Sequence, residues 1–170
     1  QLKACDLILE AIIENLSIKQ NLMQQLEEIV SQHTILASNT SSLSITEIAA
    51  KCQYPQRIVG YHFFNPVPLM KVVEVIQGLH TDHHIIDQLI QLTRRMGHRP
   101  VQTKDTPGFI INHAGRAYTT EALKILSENV ASIHEIDFVL KATLNFKMGP
   151  FELMDLTGID VSHPVMLSIY

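Results

Sequence analysis

The organisation of the hydrophobic pattern changes at Asp105-Thr106-Pro107-Gly108. Before that point, short apolar runs of strand length alternate with segments of helical spacing; beyond it, every periodic segment is helical. Such a chain is held to an α/β part followed by an all-helical part, with the boundary near Asp105 and the parts at residues 1–104 and 105–170. Residues 7–13 form a near-continuous apolar run, which predicts a strand of the kind found in sheets covered on both faces. Between residues 15 and 31, Leu22, Leu26, Ile29 and Val30 recur at helical spacing with Lys19, Gln20, Gln24 and Glu28 between them, the pattern of an amphipathic helix. Residues 34–37 predict a second strand, and Ser44 with Glu47 forms a capping-box signature for a second helix.

Residues 57–64 and 71–76, rich in β-branched and aromatic side chains, predict two more strands, joined through Asn65-Pro66-Val67-Pro68, where the prolines exclude a helix. Thr81 is placed to cap a helix carrying Ile85, Ile86, Leu89, Ile90 and Met96, and Gly97 falls where a left-handed cap is expected. Residues 99–103 form the last short strand. Past the boundary, helices are expected over residues 109–128, from the capping box at Ser132 and Glu135 through Leu140, and over residues 151–156 with Gly158 beyond.

Composition narrows the function classes. With 46% hydrophobic and 18% charged residues, the 170-residue chain has the apolar content for a packed core. Its formal charge of −4 provides no basic field to hold a nucleic-acid backbone or an anionic membrane surface. Apolar runs are broken by Glu10 and Glu74 well before the roughly 20 residues a membrane span requires. The start, Gln1-Leu2-Lys3-Ala4-Cys5-Asp6, has no basic-then-apolar leader and no initiator Met. Cys5 and Cys52 lie far apart without metal-type spacing, a usage suited to a reducing, cytoplasmic setting.

Candidate chemistry gathers where strands end, because ligands of open parallel sheets bind beyond the carboxyl ends of the strands. Ser41 follows one predicted strand and His62 lies near the end of the next, so parallel pairing would bring both to one rim. Glu74 lies on a strand reached through a short turn, and can face His62 across it, a carboxylate holding one imidazole nitrogen while the other accepts a proton. A strand histidine beside aromatic residues is also what a satisfied core residue looks like, and Ser41 with Ser42 also reads as loop capping. His80, His83 and His84 crowd before a helix without a matching carboxylate or thiolate cluster, which reads as a solvated helix start and no metal. Asn112 sits early in a helix beside the boundary. The seven glycines include no Gly-x-Gly pair, so neither a dinucleotide fingerprint nor a phosphate loop is present.

Five strings then follow one another in order: Leu36-Ala37-Ser38-Asn39-Thr40-Ser41-Ser42, Gly60-Tyr61-His62-Phe63-Phe64-Asn65-Pro66-Val67-Pro68, Val72-Val73-Glu74-Val75-Ile76, Asp105-Thr106-Pro107-Gly108-Phe109-Ile110-Ile111-Asn112 and Met148-Gly149-Pro150-Phe151-Glu152-Leu153. Together they resemble the L-3-hydroxyacyl-CoA dehydrogenase family, and more closely its 3-hydroxybutyryl-CoA dehydrogenase branch, along essentially the whole chain. The resemblance implies the C-terminal part of a Rossmann-like NAD-binding domain followed by an all-helical domain that contributes to the substrate cleft and to a homodimer. It implies oxidation of an L-3-hydroxyacyl-CoA to the 3-ketoacyl-CoA, with His62 as general base and Glu74 orienting it. Ser41 and Asn112 match residues that hydrogen-bond the reacting oxygen of the acyl-CoA substrate, while Glu14, Lys19, Ser41 and Asn65 match positions at the nicotinamide end of NAD.

The chain departs from the family at His113, where Arg is frequent, and at Lys147, where Pro is usual. The family's glycine-rich turn and acidic ribose ligand are not found, which implies an internal piece of a longer chain whose own capacity to bind NAD is in question. Two other readings stay open at this point: a dehydrogenase of a small free hydroxy acid in the same superfamily, and a non-catalytic fragment unable to bind NAD.

Overall fold

The length of each connection sets how the strands pair. In the computed structural model, which describes residues 2–160 together with His163 and Leu167, the chain divides into two units, Gln1–Phe109 and Ile110–Tyr170. The first contains β1 (Leu7–Glu10), α1 (Leu16–Ile29), β2 (Ile35–Ser38), α2 (Ile45–Ala49), β3 (Ile58–Phe63), β4 (Val72–Gln77), α3 (His83–Arg95) and β5 (Arg99–Lys104). They form one sheet in the order β1-β2-β3-β4-β5. Helical crossovers make β1 and β2, β2 and β3, and β4 and β5 parallel. The link between β3 and β4 is too short for a crossover, which takes about a dozen residues or more, so these two are antiparallel.

Alternate residues of the inner strands point to opposite faces, and each face has a helical cover. Leu36, Ile58 and Ile76 pack with Met23 and Leu26 of α1 and Ile45 and Ile48 of α2. Ile35, Ala37, Val59, Tyr61, Val73 and Val75 pack with Ile85, Ile86 and Leu89 of α3. The expected sheet covered on both sides is therefore present. Gly60 is required by the first of these layers: a Cβ there would meet Ile76 Cβ at 2.7 Å and Ile45 Cδ1 at 2.9 Å.

Several expectations are corrected. The strand predicted over residues 7–13 ends at Glu10, because the chain turns there: the Ile12 N–H donates to Glu10 Oε2, and the Ile12 carbonyl accepts from Lys19 Nζ. Ile12 and Ile13 are exposed. Helix α1 starts at its Asn15 cap, but its buried face carries Lys19 and Gln20 while Ile29 is exposed. Gln20 is satisfied by donating to the Glu47 carbonyl. Thr81 does not cap α3; the cap position is Asp82, and the Thr81 hydroxyl donates to the Ile58 carbonyl and accepts from the Gly78 N–H. Arg57 lies in a 3-10 turn, Pro55–Arg57, ahead of β3.

The second unit holds α4 (Ile111–Ser127), α5 (Ile133–Leu144) and α6 (Pro150–Thr157). A sheet-and-helix unit followed by an all-helical one agrees with the loss of strand-length runs beyond Asp105. Its core is formed by Ala122, Ile136, Phe151 and Met154. The Ser132–Glu135 capping box opens α5 as expected, and the helix runs past Leu140 to Leu144. Pro150 occupies the first turn of α6, and the buried Asp137 carboxylate accepts from the backbone N–H groups of Phe151 and Glu152. Helix α4 begins at Ile111 rather than at residue 109, since Gly108 and Phe109 have φ of 73° and 48°, outside the helical region.

Candidate functional site

Antiparallel pairing puts His62 of β3 directly opposite Glu74 of β4, and residues so placed share a face at side-chain contact distance. The His62 Nδ1 to Glu74 Oε2 distance is 2.8 Å, with side-chain exposures of 5% and 2%. A carboxylate can only accept, so Nδ1 carries the hydrogen of this bond and the neutral ring presents Nε2 as its acceptor. Phe64 lies edge-on to the imidazole with ring centroids 4.7 Å apart, and Phe109 stands tilted to it at 5.9 Å. The imidazole is thus held in one tautomer, with aromatic rings around it and a buried carboxylate behind.

A second cluster lies at the carboxyl ends of β1 and β2, which parallel pairing brings to the same end of the sheet. Glu14 Oε1 accepts from the Thr40 hydroxyl at 2.6 Å, the Ser41 N–H at 2.9 Å, and the N–H and hydroxyl of Ser42 at 3.2 Å each. Lys19 Nζ lies 3.5 Å from Glu14 Oε2. Burial works to raise the Glu14 pKa, but the bonds from Thr40, Ser41 and Ser42 and the charge of Lys19 outweigh it and hold the carboxyl below its ordinary 4.5. The loop is also tied to β3, because the Asn39 side-chain oxygen accepts from the Phe63 N–H at 2.8 Å. Ser41 and His62 therefore both belong to the carboxyl-end rim of neighbouring parallel strands.

Of the residues singled out in the sequence, Glu14, Lys19 and Ser41 form one connected group, and His62 and Glu74 form another. Asn65 is exposed on the turn after β3. Asn112 stands in the second unit, in the first turn of α4. His83 and His84 are exposed in the first turn of α3; no group of three or more His, Cys, Asp or Glu able to hold a metal occurs among the described residues.

Sequence reasoning missed two acidic residues. Glu10, treated only as a break in an apolar run, is 5% exposed and contacts Lys19, Ser38 and Ile12. Its signal was a carboxylate in the middle of a near-continuous apolar run, where a side chain without a buried partner would be out of place. Asp105, read as part of a boundary, accepts from Ser44 Oγ at 2.8 Å, the Ile45 N–H at 2.9 Å, the Thr46 N–H at 2.8 Å and Thr46 Oγ1 at 2.5 Å, fixing the start of α2. Nothing local to Asp105 indicated partners some sixty positions away.

Residues 1–106 match the family described as 3-hydroxyacyl-CoA dehydrogenase, NAD binding domain, and residues 108–170 match 3-hydroxyacyl-CoA dehydrogenase, C-terminal domain. The chain is 47% identical over 169 residues to the 3-hydroxyadipyl-CoA dehydrogenase of Escherichia coli strain K12, covering 99% of this chain and 36% of that protein. It is 44% identical over 169 residues to the 3-hydroxybutyryl-CoA dehydrogenase of Clostridioides difficile, covering 99% of this chain and 60% of that one. The crystal structure of (S)-3-hydroxybutyryl-CoA dehydrogenase from Ralstonia eutropha superposes with a TM-score of 0.96 at 40% identity, over 99% of this chain and 60% of that chain. The chain thus spans less than two thirds of the length of each of these relatives. No described helix is long and apolar enough to cross a membrane.

Proposed function

The chain belongs to the 3-hydroxyacyl-CoA dehydrogenase family, and from that membership we propose that the protein oxidises a short-chain L-3-hydroxyacyl-CoA, of the 3-hydroxybutyryl-CoA kind, to the 3-ketoacyl-CoA with His62 as general base. The observation that carries the assignment is the buried His62–Glu74 pair at 2.8 Å. With Nδ1–H donated to Glu74, Nε2 accepts the proton of the substrate's 3-hydroxyl, and the carboxylate stabilises the imidazolium so formed. Ser41 is assigned to hydrogen-bond the reacting oxygen, whose charge changes as its proton departs, a task suited to a fixed hydroxyl donor, and Asn112 is assigned to the substrate from the family membership alone.

The residues present fit the nicotinamide end of NAD. A carboxylate held ionised at the rim accepts from hydroxyl groups, and Glu14 is such a group; Ser41 and Asn65 are assigned to the same end of the cofactor as polar donors, and Lys19 as the buried cation 3.5 Å from Glu14 Oε2. NAD supplies, when bound, the nicotinamide ring that takes the hydride from the carbon bearing the hydroxyl. No Gly-x-Gly pair occurs among the seven glycines, so no residue here is assigned to the pyrophosphate. The helical unit is assigned to pairing with a second copy, supported by large apolar side chains exposed on it, among them Phe138, Val139 and Phe146.

The test is NADH oxidation by the full natural protein supplied with acetoacetyl-CoA, beside its His62→Gln variant. Turnover is expected to fall by about 10²–10⁴-fold, the usual contribution of general acid–base catalysis. A variant within a few-fold of wild type would remove His62 from the mechanism. Faster turnover of free acetoacetate than of its CoA thioester would instead make the substrate a small free acid.

A further inference from the structure

Glu10 is the hub of a closed circuit that reaches Glu14 by two routes. On one route both Glu10 carboxylate oxygens accept from Lys19 Nζ at 2.9 Å, and Lys19 lies 3.5 Å from Glu14 Oε2. On the other, Glu10 Oε1 accepts from the Ser38 hydroxyl, Ser38 Oγ accepts from the Thr40 N–H at 3.2 Å, and the Thr40 hydroxyl donates to Glu14 Oε1. The other Glu10 oxygen also accepts from the Ile12 N–H, which turns the chain from β1 towards Glu14. Glu10, Lys19, Ser38 and Thr40 are 5%, 1%, 0% and 0% exposed.

A buried ion pair is a weak source of stability, since desolvation offsets most of its attraction. What such a pair does well is fix positions, because each partner has few other places to go. Lys19 Nζ gives its hydrogen bonds to the two Glu10 oxygens and the Ile12 carbonyl, with Glu14 Oε2 farther off at 3.5 Å. Glu14 is therefore left to spend its Oε1 on the loop at 40–42, Ser41 included. Were Glu10 uncharged, Glu14 would be the remaining carboxylate beside Lys19, and the ammonium would draw it away from that loop.

Resting on the dehydrogenase assignment above, we infer that Glu10 is a positioning residue for the nicotinamide end of the site, holding Lys19, Glu14 and the Ser41 loop in their binding arrangement without itself touching cofactor. Its removal acts on cofactor affinity through Glu14, and this separates it from a residue that only stabilises the fold.

The experiment is titration of the full natural protein with NADH, followed by nucleotide fluorescence, for Glu10→Gln, Glu14→Gln and the double variant, with the thermal midpoint measured in parallel. Glu10→Gln is expected to weaken NADH by about tenfold or more, the scale of buried hydrogen bonds to charged groups. In the Glu14→Gln background the same change is expected to weaken it only slightly further, since both act through one carboxylate. Should Glu10→Gln not fold, Ser38→Ala cuts the second route with the ion pair intact, and the same non-additivity with Glu14→Gln is expected. Full multiplication of the two losses, or undiminished NADH affinity in the folded variants, would overturn the role of Glu10 and leave the dehydrogenase assignment standing. A wild-type protein with no NADH affinity would overturn both together.

Discussion

Glu14 sits where the site meets solvent, its side chain 36% exposed, yet it accepts from three successive residues of one loop. Burial of part of the side chain favours protonation, but the hydrogen bonds from Thr40, Ser41 and Ser42 and the charge of Lys19 favour the carboxylate more, and the balance lowers the pKa from 4.5. The sign of the stability effect follows. A folded-state value below the unfolded one means that the unfolded chain takes up the proton first. The stabilisation is complete above about pH 4.5 and is lost as pH falls through the lower folded value. Denaturant unfolding from pH 7 downwards should show wild type more stable than Glu14→Gln at neutral pH, with the difference shrinking in acid. A difference that stays constant to pH 3 would mean that the loop does not hold the carboxylate in its ionised form.

At the scale of elements, β3 and β4 make the site by being tied through a short turn. Their register places His62 against Glu74 and Gly60 against Ile76, so the two pairs test one alignment. Gly60→Ala would put a Cβ 2.7 Å from Ile76 Cβ, an atom fixed to the backbone that no rotamer moves. Overpacking of this kind costs about 1–3 kcal/mol, and urea denaturation should show a lower midpoint with an unchanged slope; a neutral substitution would mean that β3 and β4 do not approach as described. The His62–Glu74 juxtaposition was legible in the sequence for the same reason, because a hairpin is local and alternation decides which residues face each other. The relation of Glu10 to Lys19 was not, although only nine positions separate them. Helical periodicity assigns a lysine between apolar residues to solvent, and only a buried carboxylate from another element reverses that assignment. Thr81 failed as a cap for a related reason: its hydroxyl is engaged by the Ile58 carbonyl, twenty-three positions away in the chain.

At the scale of the molecule, each unit has its own core. The sheet unit encloses two layers, and the helical unit buries Ala122, Ile136, Phe151 and Met154 and leaves Phe138, Val139, Leu144 and Phe146 at 62%, 53%, 59% and 47% exposure. Helix α5 is therefore apolar on more than its core-facing side. Its buried side is set by Ile136 and by Asp137, which holds the start of α6, and Phe138 and Val139 are directed elsewhere. These exposed aromatic and β-branched residues are the apolar surface proposed above for pairing with a second copy. If that surface receives a second copy of this chain, placing a charge at its centre should separate the copies without disturbing the core beneath. Phe138→Asp in the full natural protein is accordingly expected to sediment as a monomer at concentrations where wild type is a dimer, with its helical signal unchanged. Ile136→Asp, on the buried side of the same helix, should instead unfold the helical unit. A Phe138→Asp protein that remains dimeric would place the contact on another surface, and a monomeric wild type would withdraw the pairing altogether.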